Sequence, residues 1–359
     1  MGWRLWREVM LATALALAPL AAKAQAPALI YFDNDFLGPG ESDIQSIIPL
    51  LHLKDAKLIG LGVVSGDQWM EEESQHLLRF LEVAGRTDVP VLRGAVMPLL
   101  RTQREMAAWE SQYGKIPWKG AWNAPDPASG YVFHPDDPAF VPPLAEGKPA
   151  IKAADEDAAH FIVRQVHEHP GQVLIVTAGP LTNLALAIRI SPDVPALAKG
   201  LVFEGGYIDV NTAQATDDAD YSTDFNVLFD PEAAHIVMTA PWKHITAVGH
   251  VAAPNIMVTQ AIVDRIGASP SPVAQYVKRY ARTGEPFWDE VAVSLAIDPT
   301  LVTKSFEARM DVDLMHGADY GRVRLWSDKF APPGLQPVQV TVTVDKARFI
   351  DGFVAAATR

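Results

Sequence analysis

Leu29-Ile30-Tyr31-Phe32-Asp33-Asn34-Asp35-Phe36-Leu37-Gly38-Pro39-Gly40-Glu41-Ser42-Asp43 is the stretch on which the fold turns. Leu29 to Phe32 is a short apolar run of the kind that fills a buried strand. It stops in carboxylates and passes through Gly38, Pro39 and Gly40, residues that make turns. Ile44, Ile47, Ile48 and Leu51 then follow at helical spacing, with Pro49 placed to kink that helix. The reading is strand, acidic loop, helix.

The alternation continues outward. Leu58 to Val64 reads as a second strand, and Glu72 to Val83 as a helix with apolar Leu77, Leu78, Phe80 and Leu81. Val173 to Thr177, Leu201 to Phe203 and His244 to Val248 are further buried-type strands, with helical segments at Leu181 to Arg189 and Pro231 to Met238. The expected fold class is α/β, an open and mostly parallel sheet with helices on both faces. Val338 to Val344 alternates and reads as an edge strand. Ligands in such sheets sit at the carboxyl ends of the strands, so the site is expected there. Residues 101–150 break the pattern. They hold Trp109, Trp118 and Trp122, many prolines and little periodicity, and read as a long insertion over one end of the sheet. With no internal repeat or linker, 25–359 reads as one domain.

The first 24 residues read as a secretory signal peptide. Arg4 and Arg7 precede an apolar run from Val9 to Ala22, and Ala22-Lys23-Ala24 is a small-x-small cleavage site. A secreted or periplasmic protein beginning near Gln25 is expected. A retained N-terminal anchor is the alternative. The chain has no cysteine, which excludes thiol nucleophiles and cysteine-ligated metals. Its net charge is −13, and loss of Arg4, Arg7, Lys23 and Glu8 leaves −15. Such a surface repels phosphate backbones and anionic lipid, so a nucleic acid polymer or a membrane is not the expected partner. A neutral small molecule or a cation is. A homo-oligomer is compatible with the sequence.

Carboxylates carry the chemistry. Asp33, Asp35, Glu41 and Asp43 fall within one strand-to-helix loop. Clustered like charges repel one another and persist best around a hard cation, although Asp43 could equally cap the helix while the others are solvated. More polar groups end other strands: Ser65-Gly66-Asp67, then Thr177-Ala178-Gly179-Pro180-Leu181-Thr182-Asn183, then Asp224-Phe225-Asn226 ahead of Asp230-Pro231. Phe287-Trp288-Asp289-Glu290 opens an apolar helix. Their joint placement at strand ends is the signal.

In that order, with Gly85-Arg86-Thr87-Asp88-Val89-Pro90-Val91 between, these motifs resemble the inosine–uridine-preferring nucleoside hydrolase family over roughly residues 28–355. The resemblance implies Ca²⁺-dependent hydrolysis of the N-glycosidic bond of ribonucleosides, giving free base and ribose. It implies a metal held by Asp35, Asp43, Asp289 and the Ala178 carbonyl, with Asp33 in support. Asp224 and Asn226 would hold ribose hydroxyls, and Asp67 would lie near sugar and base. Ca²⁺ would orient the attacking water, and Asp35 would act as general base on it.

Trp288 stands where one branch of the family has His, and so resembles the purine-preferring branch. There a second Trp sandwiches the base; Trp109 is the nearest match, with Trp118 and Trp122 as rivals. The chain departs from the family pattern at the sugar grip. Ser42 replaces an adjacent Asp, with Glu41 as a substitute, Asp224 replaces the usual Glu, and Asn211 lies near a family Asn. His235 reads as structural, and His250 is a residual acid candidate. The rival reading is an exported nucleoside- or sugar-binding protein of the same fold without turnover. A phosphotransferase is disfavoured because no Lys lies between Leu29 and His52.

Overall fold

The computed structural model describes residues 28–126, 130–208, 224–250 and 256–359. Among them, nine strands form one sheet: β1 (Ala28–Asn34), β2 (Ala56–Val63), β3 (Val91–Arg93), β4 (Val173–Thr177), β5 (Gly200–Ile208), β6 (Ile245–His250), β7 (Val302–Val312), β8 (Val323–Trp326) and β9 (Pro337–Val344). Their order is β3-β2-β1-β4-β5-β6-β9-β7-β8. Every pairing from β3 to β9 is parallel, and the β7 pairings with β9 and β8 are antiparallel. The chain winds outward from β1 in one direction and from β4 in the other. The crevice beyond the carboxyl ends of β1 and β4 is therefore the topological switch point, where such folds bind ligands.

β1 shows why the sheet is buried on both faces. Ile30 and Phe32 pack on one side with Ile48, Phe80 and Val291. Tyr31 packs on the other with Phe161, Ile175, Leu184 and Val237. Period-two alternation sends successive side chains to opposite faces, and both faces here are apolar. Each such side chain contributes about 1.5–3 kcal/mol on burial, which is how a chain without disulfides is held together.

Three expectations change. Val338 to Val344 is not at the edge, because β7 and β8 add an antiparallel hairpin beyond it. β7 begins Val302-Thr303-Lys304-Ser305, mostly exposed, so no apolar run announces it. Pro49 does more than kink a helix. The helix Ser42–Gln45 ends before it, and a 3₁₀ turn, Ile48–Leu50, takes over. The insertion contains a helix, Gln103–Tyr113, closed by a capping box between Thr102 and Glu105. Only Met106 and Glu110 of that helix are buried, so it has no apolar stripe to read. Among the described residues no helix is long and apolar enough to cross a membrane.

Candidate active site

Asp35 follows β1 directly and sits between two glycines. A Cβ on Gly66 would lie 2.0 Å from Asp35 Oδ2, and one on Gly179 would lie 2.5 Å from Oδ1. The loops after β2 and β4 close on this carboxylate only because neither position carries a side chain. The Asp67 backbone N–H donates to Asp35 Oδ2 at 2.9 Å. Asp43, in the first turn of the helix Ser42–Gln45, completes the group. Asp35, Asp43 and Asp67 each present a carboxylate oxygen, all within 4.8 Å of one another.

Asp289 adjoins them. It enters the first turn of the helix Trp288–Ile297. Asn34 Nδ2 donates to Asp289 Oδ2 at 2.8 Å and reaches the Asp43 carbonyl at 3.5 Å, tying that helix to the aspartate loop. Ser42 makes a second tie: its hydroxyl donates to Glu290 Oε2 at 2.5 Å and accepts the Asp289 N–H at 3.1 Å. Asn226 Nδ2 donates to the Ala178 carbonyl at 2.6 Å and to Glu204 Oε2 at 2.8 Å.

The electrostatics follow from this crowding. Burial first, then the charges of Asp67 and Asp289, push the Asp35 pKa well above the carboxylate range. Asp43 is raised by burial and then by Asp289, Asp67 and Asp35. Asp289 is raised by burial and then by Glu204 and Glu290. Asp67 is pushed up to about 7, mainly by burial, although the Trp118 hydrogen bond opposes the shift. Several buried carboxylates of one sign in one place are unfavourable unless a cation joins them. An all-oxygen donor set of this kind fits a hard divalent ion.

The structure places other sequence candidates differently. Asp33 is held by the Tyr31 hydroxyl at 2.5 Å and by Asn183 Nδ2 at 3.1 Å, so it braces β1 and stands outside the three-carboxylate group. Asp67, which the resemblance implies lies near sugar and base, is a member of that group. Asp224 caps the helix Phe225–Phe229. One oxygen takes the Val227 N–H at 3.2 Å and the other takes the Gly206 N–H at 3.0 Å. Glu41 pairs with Arg282 Nε at 2.7 Å and accepts from the Tyr131 hydroxyl. Ser42 and Glu41 are thus both engaged within the protein rather than turned to a sugar. Asn211 lies outside the described residues, as does the side chain of His250. His235 pairs with Asp311 at 2.6 Å, a structural contact.

Among the insertion tryptophans, Trp109 donates its indole N–H to the Gly317 carbonyl at 2.8 Å and packs on Tyr113. Trp122 stacks on Phe229 at 4.5 Å in a small core. Trp118 is the one at the site, donating to Asp67 Oδ1 at 2.5 Å. Phe133 and Tyr131 pack around it at 5.8 and 6.4 Å. Trp288 is half-buried beside Asp289.

Sequence reasoning passed over Asn34, Glu204, Tyr131 and Phe133. Glu204 had a signal: a lone acid closing the apolar run Leu201-Val202-Phe203, followed by Gly205-Gly206. Tyr131 and Phe133 had none, being aromatic residues in an irregular segment.

A parallel α/β sheet with a carboxylate centre at its switch point defines a class: enzymes that bind a small molecule at the strand ends. The family described as inosine–uridine preferring nucleoside hydrolase matches residues 30–351, and the chain belongs to it. It is an N-ribosyl hydrolase, acting on the N-glycosidic bond of ribonucleosides. A probable uridine nucleosidase from Arabidopsis thaliana is 32% identical, covering 69% of this chain and 67% of its own length. An inosine–uridine preferring nucleoside hydrolase from Leishmania major is 28% identical, covering 90% and 95%. Among solved structures, a purine-preferring ribonucleoside hydrolase from Gardnerella vaginalis superposes with a TM-score of 0.71 at 22% identity, over 92% of this chain and 98% of that one. This last likeness concerns the fold.

The charge crowding leads to a prediction about stability. A carboxyl whose pKa is higher in the folded state than in the unfolded one contributes stability below the unfolded value of about 4, and that contribution is lost as pH rises through the folded value. For Asp67 the window closes at about 7. A cation bound by the cluster should therefore stabilise the protein more at pH 8 than at pH 5. At a hundredfold excess over Kd the gain is about 2.7 kcal/mol, on the order of 4 °C in Tm for a chain of this size. Thermal melts in Ca²⁺ and in chelator at both pH values measure it. An equal shift at the two would dissociate the cation from these carboxylates.

Proposed function

We propose that the chain hydrolyses purine ribonucleosides in preference to pyrimidine ones, with Ca²⁺ held by Asp35, Asp43, Asp67 and Asp289 and with the Ala178 carbonyl as a further donor. The observation that carries the metal reading is the convergence of two buried carboxylates and the half-buried Asp67 within 4.8 Å. When bound, Ca²⁺ neutralises this charge and orients oxygen atoms of water and sugar. Asp35 accepts the proton of the attacking water as the C–N bond breaks. Oxocarbenium charge builds on the ribose while the base departs with the bonding electrons. Glu204, held by Asn226 and outside the proposed ligand set, supplies negative potential to that developing positive charge. Asn226 positions Glu204 and the Ala178 carbonyl together. Trp288 stands before Asp289 where one branch of the family carries His, so no imidazole is there to protonate the base, and solvent supplies that proton.

Purine preference rests on the two indoles adjoining the carboxylates. Trp118 is tied to Asp67, and Trp288 precedes Asp289 in the chain. A bicyclic base makes larger face contacts than a single ring, and each aromatic pair contributes roughly 0.5–1.5 kcal/mol beyond burial. A binding preference of up to about tenfold follows, with larger ratios requiring activation of the leaving base. Trp288→Ala should lower kcat/KM for inosine more than for uridine, and Trp109→Ala should leave the ratio unchanged. Trp118→Phe should keep part of the stacking while releasing Asp67. A parent enzyme that prefers uridine would end the stacking proposal.

Export is part of the same proposal and rests on the basic, apolar and small-residue succession of residues 1–24. N-terminal sequencing of protein from the native host should read from near Gln25. An intact Met1 in a membrane fraction would replace export with anchoring.

A further inference from the structure

At the far end of the sheet from the carboxylates lies a cavity of about 750 Å³. It opens among the amino-terminal ends of the strands, where Ala28 of β1, Ala56 of β2 and Gly200 of β5 line it. It shares no lining residue with the carboxylate centre. The volume is in the range of sites that enclose small organic ligands.

Two features of its lining point to an occupant. The inner wall is apolar, built from Ile30, Leu174, Val202, Leu295 and Val302. Into that wall Thr341 brings a hydroxyl that is buried and has no hydrogen-bond partner. On β9, Val338 and Val340 pack into the core on the opposite face of the sheet, so alternation turns Thr341 toward the cavity.

The rim is basic. His52, Lys54, Lys199, His244 and Arg359 are exposed around it, with Asp55 the single acid among the described lining residues. Partial burial, and then the charges of Arg359 and Arg86, lower the His52 pKa, as expected where cations are close. On a chain of net charge −13 this is a local reversal of sign. An apolar interior beneath a cationic rim selects a molecule with an apolar body and one anionic head.

We propose that this cavity is a second ligand site, separate from the nucleoside site, that takes a small amphipathic organic anion from solution. Its apolar body fills the space against Leu174, Val202 and Leu295, and its anionic head lies among Lys54, Lys199 and His52.

Calorimetric titration of the full-length protein with octanoate tests it, with 1-octanol as the uncharged control. One octanoate should bind per chain, and 1-octanol at least about tenfold more weakly. The pair Lys54→Glu and Lys199→Glu should weaken octanoate at least about tenfold. Ser305→Trp, at an exposed lining position, should fill the opening and remove binding. Both variants alter exposed residues and should melt with the parent, which serves as the check on folding. Equal affinity for octanoate and 1-octanol would overturn the proposal, as would no binding at millimolar octanoate. So would octanoate binding that survives both variants. Sedimentation of the parent and of Ser305→Trp alike with phosphatidylglycerol vesicles would also overturn it, assigning the basic rim to a membrane surface.

Discussion

Asp35→Asn should lower kcat for nucleoside hydrolysis by about 10³-fold or more while leaving the protein folded. General-base catalysis is worth about 10²–10⁴-fold, and the amide cannot accept the proton. The substitution also removes one of the three carboxylates that converge within 4.8 Å, so cation affinity falls with it. Stability should move in the opposite direction when the cation is absent. Asp35 is buried and faces the charges of Asp67 and Asp289, and its neutral isostere relieves both penalties. The chelated variant should therefore melt at or above the chelated parent at pH 8. Steady-state rates with inosine, together with melts in chelator, separate the two effects. Undiminished turnover would remove Asp35 from the proton-accepting role.

Asp289→Ala carries the second large effect. Asp289 stands outside the tightest group but is bound to it through Asn34. Its loss should raise the Ca²⁺ concentration needed for half-maximal activity, and lower kcat/KM by about a hundredfold at limiting Ca²⁺. Added Ca²⁺ should recover part of that loss. Asn34→Ala, which removes only the orienting amide, should produce a smaller change in the same direction, within about 10–100-fold. If neither variant shifts the Ca²⁺ dependence, Asp289 does not hold the ion.

Much of the fold was legible because its parallel core is written in apolar runs. Val173 to Thr177 and the helix Pro231–Met238 agree with the sequence reading to the residue. The hairpin of β7 and β8 was not legible, since exposed strands carry Lys304, Glu307 and Arg324 instead of an apolar run. Asp35, Asp43 and Asp289 stand where a strand closes or a helix opens, but it is the family resemblance that nominates them as ligands. What separates ligand from brace was not legible. Asp33 and Asp35 are two positions apart at the end of β1, yet Asn183 and Tyr31 claim the first, and Asp67 and Asp43 gather round the second. Tyr31 and Asp43 are near in sequence, but Asn183 and Asp67 lie 150 and 32 residues from their partners, beyond the reach of any local pattern. Trp118 and Trp109 differ likewise only in tertiary contacts, the one to Asp67 and the other to Gly317. Asp224, which the resemblance assigns to the ribose, caps the helix Phe225–Phe229, a contact its place before Phe225-Asn226 did not reveal.

Product analysis with and without chelator decides whether the proposed calcium-loaded carboxylate centre cleaves ribonucleosides. Purified protein incubated with inosine, adenosine and uridine in Ca²⁺ should release free base and ribose in equal amounts, fastest from the purines. Exhaustive chelation should stop release, and added Ca²⁺ should restore it. Base and ribose formed at an undiminished rate after chelation would contradict the metal centre, and nucleoside bound but returned intact in Ca²⁺ would favour a binding protein on the same fold.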